Sequence, residues 1–431
     1  MNRTPYLSIE KSVLSVLATL ILTLSLVFLQ EGFTYYISFQ ILALVTVAIL
    51  IFSTIRAVKD EKHFFVAFLV FTLSVAITAF VSPAVIARNS SNIFITLIGV
   101  LGYAVMIGCL PHLKIKRADL ILHVLKSVSS ATIFVLAGFI VLSESNLVPS
   151  LNRDSMVLQN SRLIDNFTDA DALSVDQAVN LLIDQAERID LFYGEPSFLA
   201  IVLFTCIVCF MLTSKLLAYS GSGSKYTDLK SSFKLYEPII FVGAISLLYI
   251  QSFSSIIYAL IVIYFAFIKG KIRRTKLLTS ISFLIVFAIV FLAFGYEYFL
   301  YRITQADSLS LIQRFGFLLD IGIDNLLFGI KDESMLPDVG IHNGLFYIIS
   351  IAGFGGLLYL ASLFYSVYTL AIPIKSSLFI VLLVLAIIMQ NGGVFSPSKV
   401  VLFSMVLLPL ACARAIYSGQ RPTAVNGRRY E

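Results

Sequence analysis

Residues 196–219 read PSFLAIVLFTCIVCFMLTSKLLAY. The run carries one charged side chain, Lys215, close to its end. At about 1.5 Å of rise per residue, a helix of this length crosses the roughly 30 Å hydrocarbon layer of a bilayer. It has no polar face, so a helix here needs cover on all sides from protein or lipid. Pro196 suits a first helical turn, where its missing N–H is no loss.

The same pattern recurs along the chain. Hydrophobic residues make up 58% and charged residues 13%. An average soluble domain has about 25% charged residues. A large soluble core needs a charged shell, and these charges are too few to make one. The length rule gives about twelve apolar spans. They fall at 12–30, 34–53, 64–87, 92–111, 119–142, 196–219, 236–251, 253–269, 277–299, 343–370, 377–391 and 397–417. The expected fold class is an all-α integral membrane protein. Its expected organisation is five transmembrane helices in 1–142, a loop at 143–195, four helices in 196–299, a second loop at 300–342, three helices in 343–417 and a tail at 418–431. The first block lacks a small-residue cleavage site and reads as a retained helix.

The net charge of +6 is explained by topology, so no nucleic-acid partner is expected. With the N-terminus inside, the cytoplasmic connections hold Arg56, Lys59, Lys62, Lys114, Lys116, Arg117, Lys215, Lys225 and the basic run from Lys269 to Lys276. The opposite side holds few basic residues, among them Arg188, Arg302, Arg314 and Lys399. The positive-inside rule then puts both termini in the cytoplasm and both long loops outside. Lys126 lies near the inner end of its span, where it can snorkel. The first loop contains a helical apolar pattern at Val175, Ala178, Val179, Leu182, Ala186 and Ile189. Ser174 and Gln177 fit a capping box at its start.

Orientation narrows the candidate chemistry. Of the four histidines, only His342 faces outward, beside Asn343. It is a general-base candidate, or else an interfacial residue hydrogen-bonded locally. Arg188, Glu195 and Ser197 close the first loop. Glu195 is a second base candidate or a simple helix cap, and Arg188 an anion ligand or a partner of Asp184. Arg302 and Arg314 could grip a diphosphate with their forks or pair with loop carboxylates. Cys206 and Cys209 have C-x-x-C spacing inside an apolar run, which points to packing rather than redox or zinc chemistry. Asp169-Ala-Asp171 lacks the glycine and closing glutamate of a calcium loop. Gly353, Gly355 and Gly356 sit in an apolar run and suit close helix packing. No metal or cofactor is expected.

The ordered combination of Arg188, the Gly194-Glu-Pro-Ser-Phe198 run, Ser252 to Ser255, Arg314, Gly329 and His342-Asn343 resembles the bacterial O-antigen polymerase and O-antigen ligase superfamily. That superfamily includes capsule and exopolysaccharide polymerases. The resemblance covers roughly residues 180–370. It implies a helical architecture like that of the C-type glycosyltransferases. It implies an enzyme at the periplasmic face of the inner membrane that polymerises undecaprenyl-diphosphate-linked oligosaccharide repeat units into lipopolysaccharide O-antigen, capsule or exopolysaccharide. His342 or Glu195 would activate the attacking hydroxyl. Arg188, Arg314 and Arg302 would hold the departing diphosphate, with Asn343 and Ser197 contacting substrate. A chain-length-determining membrane protein would be a partner. Rival expectations are a ligase that transfers finished glycan to lipid A core, a flippase and a non-catalytic scaffold.

Overall fold

The computed structural model describes residues 16, 19–20, 22–23, 26, 118–145, 196–220, 236–250, 252–268, 285–289, 291–292, 322–330, 344–371, 377–390 and 397–419. Among these residues lie eight α-helices. They are α1 (Ala118–Ser145), α2 (Pro196–Ser220), α3 (Tyr236–Tyr249), α4 (Phe253–Ile263), α5 (Ile323–Phe328), α6 (Gly344–Ala371), α7 (Ser377–Met389) and α8 (Pro397–Gly419). A π-helical turn, Tyr264–Ile268, continues α4.

The apolar run at 196–219 forms the central helix. α1, α3, α4, α7 and α8 all pack on α2, and every residue from Phe198 to Ser214 is buried. Its two buried threonines satisfy their hydroxyls within the helix. Thr205 Oγ1 donates to the Ile201 carbonyl at 2.7 Å and Thr213 Oγ1 to the Cys209 carbonyl at 2.8 Å. Phe204 stacks on Tyr258 of α4, with ring centroids 4.6 Å apart, and meets Phe379 of α7 edge-on at 6.2 Å. Phe379 in turn stacks on Phe265 at 4.5 Å. These rings key three helices together. On the α3 side, a Cβ at Gly243 would sit 2.8 Å from Ile207 Cγ1, so the glycine sets the helix separation.

Two helices are interrupted. α6 bends at Gly353, whose φ of 50° and ψ of −129° leave the helical region. The C-terminal backbone of α5 fills the space beside it: a Cβ on Gly353 would lie 2.4 Å from the Leu327 carbonyl oxygen and 2.6 Å from the Gly329 nitrogen. α8 contains Pro409, which has no N–H for the carbonyl four residues back. That carbonyl, on Met405, accepts the Cys209 thiol of α2 at 3.2 Å.

The packing defines two ends. Ile121 and Leu125 near the start of α1 cluster with Leu216 and Leu217 near the end of α2 and with Cys412 and Ala413 near the end of α8. Nearer the middle of α2, the π-helical turn after α4 meets the start of α7, where Phe265 stacks on Phe379 and Phe379 meets Phe204; we call the Leu216 end the basal end. The opposite, apical end holds the starts of α2, α4 and α8 and the ends of α3 and α7. The starts of α2 and α8 meet the end of α7 there directly, through Ser197, Gln390 and Lys399.

The twelve-span, C-type architecture expected from hydropathy is corrected. Among the described residues, two helices are long and apolar enough to cross a membrane, Ile121–Leu142 and Ser197–Leu217. The reason is physical: a hydropathy window counts apolar residues and is blind to where the helix stops. α3, α4 and α7 have 14, 11 and 13 residues, which at about 1.5 Å each fall short of a layer of about 30 Å. Gly353 breaks α6, and the apolar part of α8 runs only from Val401 to Ala413. The loop helix around 175–189, the start of the second loop and the first four expected spans lie outside the described residues, apart from isolated positions between 16 and 26.

Candidate functional site: a polar cluster at the apical end

α2 begins at Pro196, so Ser197 lies in its first turn, half-buried. α7 closes with Gln390, whose N–H donates to the Ala386 carbonyl at 3.1 Å. The Gln390 side chain, 3% exposed, turns to α2, and its Nε2 donates to Ser197 Oγ at 2.8 Å. α8 begins at Pro397, and its Lys399 is 1% exposed. Lys399 Nζ donates to the Gln390 backbone carbonyl at 2.6 Å. One serine, one glutamine and one lysine from three helices thus form a connected chain.

The lysine is the unusual member. Removing an ammonium from water costs several kcal/mol unless hydrogen bonds and charge compensate. Here Nζ meets the C-terminal end of α7, where the helix dipole is negative. The Lys399–Gln390 bond also closes the connection between α7 and α8.

The α3–α4 turn belongs to the same end. Ser252 and Ser255 are 6% and 0% exposed. Ser255 Oγ accepts from the Ser252 N–H at 3.1 Å and donates to the Ser252 carbonyl at 2.6 Å, while the Ser252 and Ser254 hydroxyls are 2.9 Å apart. The reciprocal pairing of cap and third helical residue opens α4 without exposed backbone. It accounts for the serine run as helix-start chemistry.

Of the sequence candidates, Ser197 is brought into this cluster. Arg188, Glu195, Arg302, Arg314, His342 and Asn343 lie outside the described residues. Gly329, a motif position, is the left-handed cap of α5 with φ 78° and packs beside Gly353. No sequence pattern singles out Gln390, and Lys399 stands out in the sequence only as one of few outward basic residues. Its signal was a lysine two residues after a proline at a helix start, where a cation opposes the dipole. Among the described residues, no group of three or more His, Cys, Asp or Glu could hold a metal ion.

No family model, no curated protein and no solved structure matches the chain. The resemblance to the O-antigen polymerase and ligase superfamily is corrected accordingly. Its motifs were short, and those within the described residues have local structural causes: a helix cap at Gly329 and a helix start at Ser252 to Ser255. The polymerase assignment, its ligase and flippase alternatives, and the link to lipopolysaccharide, capsule or exopolysaccharide synthesis rested on that family and on twelve spans. They fall with both.

Proposed function

We propose that this chain is a multi-pass protein of a bacterial inner membrane, with both termini cytoplasmic, that binds the headgroup of a lipid-linked, diphosphate-bearing oligosaccharide at its apical end. The membrane part is carried by α1. Only 44% of its Ile121–Leu142 stretch is buried inside the protein, against 94% of Ser197–Leu217. Beyond Lys126 its exposed residues are Ile133, Phe134, Ala137, Ile140 and Val141, all apolar. A helix apolar on both its buried and its exposed face is matched to lipid, not to water. Retention of the protein in membranes through alkaline carbonate washing, with a C-terminal fluorescent reporter active in the cytoplasm, is the expected result. Release by carbonate overturns the membrane reading. A dark reporter on full-length protein overturns the cytoplasmic terminus.

The ligand part is supported by Lys399. An ammonium, an amide and a hydroxyl gathered at one end suit an anionic headgroup with attached sugars. The outward arginines at 188, 302 and 314 add charge of the same sign on that side of the positive-inside reading. Undecaprenyl diphosphate is expected to raise the thermal midpoint of the purified wild type by mass action and to leave Lys399→Met unmoved. Met keeps the length of the side chain and removes its charge. An equal shift in both proteins, or none in either, removes the ligand assignment.

A further inference from the structure

α5 is only six residues long, about 9 Å of helix, yet three of its large apolar side chains face outward. Ile323, Leu327 and Phe328 are 75%, 46% and 66% exposed. Gly329 and Ile330, which follow them, are buried. The one charged residue of the helix, Asp324, is exposed in its first turn.

The apolar surface continues onto α6. A Cβ on Gly353 would lie 2.4 Å from the Leu327 carbonyl oxygen and 2.6 Å from the Gly329 nitrogen, so the backbone of Phe328, between them, lies against the bend. Phe354, the next residue of α6, is 54% exposed, and Leu357, a turn further on, 42%. Phe328 and Phe354 therefore spring from backbones in contact. Beyond them the exposed positions Leu357, Ala361, Tyr365 and Tyr368 follow helical spacing along α6, and α6 contains no charged residue from Gly344 to Ala371.

The bend itself is sharp. A Cβ on Gly356 would stand 2.6 Å from the Ile348 carbonyl oxygen, whereas an unbroken helix separates these positions by about 12 Å. Such a break interrupts the ladder of helical hydrogen bonds, and hydrocarbon offers no replacement. Irregular backbone persists at membrane depth only where protein covers it. At Gly353 the backbone of α5 supplies that cover.

We infer that α5 is a re-entrant helix whose apolar face, together with Phe354 and Leu357, rests among the acyl chains of one phospholipid leaflet, with its Asp324 end toward the headgroups. The occupant is lipid because the patch runs unbroken into the uncharged face of α6, so whatever covers that long face covers α5 as well. The inference rests on the membrane reading above. It goes beyond it by placing part of the 300–342 loop in hydrocarbon instead of water.

The sequence contains no tryptophan, so one introduced indole is the sole reporter of its kind. Phe328→Trp, Gly322→Trp and, on the exposed face of α1, Phe134→Trp proteins would be reconstituted in phosphatidylcholine–phosphatidylglycerol vesicles. Gly322 precedes α5 and has open space where a side chain would start. The phosphatidylcholine would be plain or brominated along its acyl chains, and iodide would be added on both sides of the membrane. The indoles at 328 and 134 are expected to lose most of their fluorescence to bromine and little to iodide, and the indole at 322 the reverse. Bromine quenching at 134 without it at 328 overturns the re-entrant helix and leaves the membrane reading intact. In that case iodide quenching at 328 puts α5 in water, and protection from both quenchers puts it under a protein partner or a second copy. Equal bromine quenching at 322 and 328 overturns the entry by the Asp324 end. No bromine quenching at any position overturns the membrane reading and the inference with it.

Discussion

Gly353→Ala puts a methyl group where α5 meets the bend of α6. The new Cβ would stand 2.4 Å from the Leu327 carbonyl oxygen and 2.6 Å from both the Leu327 carbonyl carbon and the Gly329 nitrogen. All three are backbone atoms, so no side-chain rotation relieves the overlap and α5 has to move. Forced shifts of this kind cost about 1–3 kcal/mol. An L residue at φ 50° adds about 1–2 kcal/mol. The expected loss is therefore about 2–5 kcal/mol. Gly138→Ala is the control: that glycine lies inside α1, and a methyl group added there would meet nothing within 4 Å. Alanine there is expected to gain about 0.5–1 kcal/mol from helix propensity. Thermal midpoints of both proteins in one detergent, with hydrogen exchange across 323–328, test the pair. Equal stability of the two variants, or unchanged exchange in α5, would refute the close approach of α5 to Gly353.

Two further substitutions probe the core. Cys209→Ala removes the thiol that donates to the Met405 carbonyl and is expected to cost about 1–3 kcal/mol. Cys209→Ser keeps a donor and should lose less, so a serine variant no better than alanine in the same thermal assay would contradict the bond. Phe204→Ala deletes a fully buried ring stacked on Tyr258 and set against Phe379. The expected cost is about 3–5 kcal/mol, read as a lower midpoint, and a loss below about 1 kcal/mol would mean that the aromatic cluster is not packed as described.

Some of this fold is legible in the sequence because the cause is local. Pro196 and Pro397 open helices where a proline can. The Gln-Ser-Phe-Ser-Ser stretch turns α3 into α4 because Ser252 and Ser255 pair across one helical turn. The close-packing role expected of the glycine run has a three-dimensional counterpart at Gly353, which meets the backbone of α5, whereas Gly356 meets Ile348 of its own helix across the bend. What hydropathy misjudged is length: apolar residues continue through the bend at Gly353 and stop short in α3, α4 and α7, and only hydrogen-bond geometry marks those places. The apical cluster was hidden for another reason. Gln390 and Ser197 are 193 positions apart, and no spacing rule connects them. Ser197 was noted for its neighbours in the chain, whereas its position depends on partners in α7 and α8.

The meeting of Pro409 with Cys209 binds two distant positions into one choice. The proline deprives a carbonyl of its helical partner, and the thiol on another helix answers it. A chain of this fold with alanine in place of Pro409 would regain the backbone bond and lose the need for a donor on α2. In a set of related sequences the two sites should therefore drift together, the cysteine becoming free to vary wherever the proline is gone.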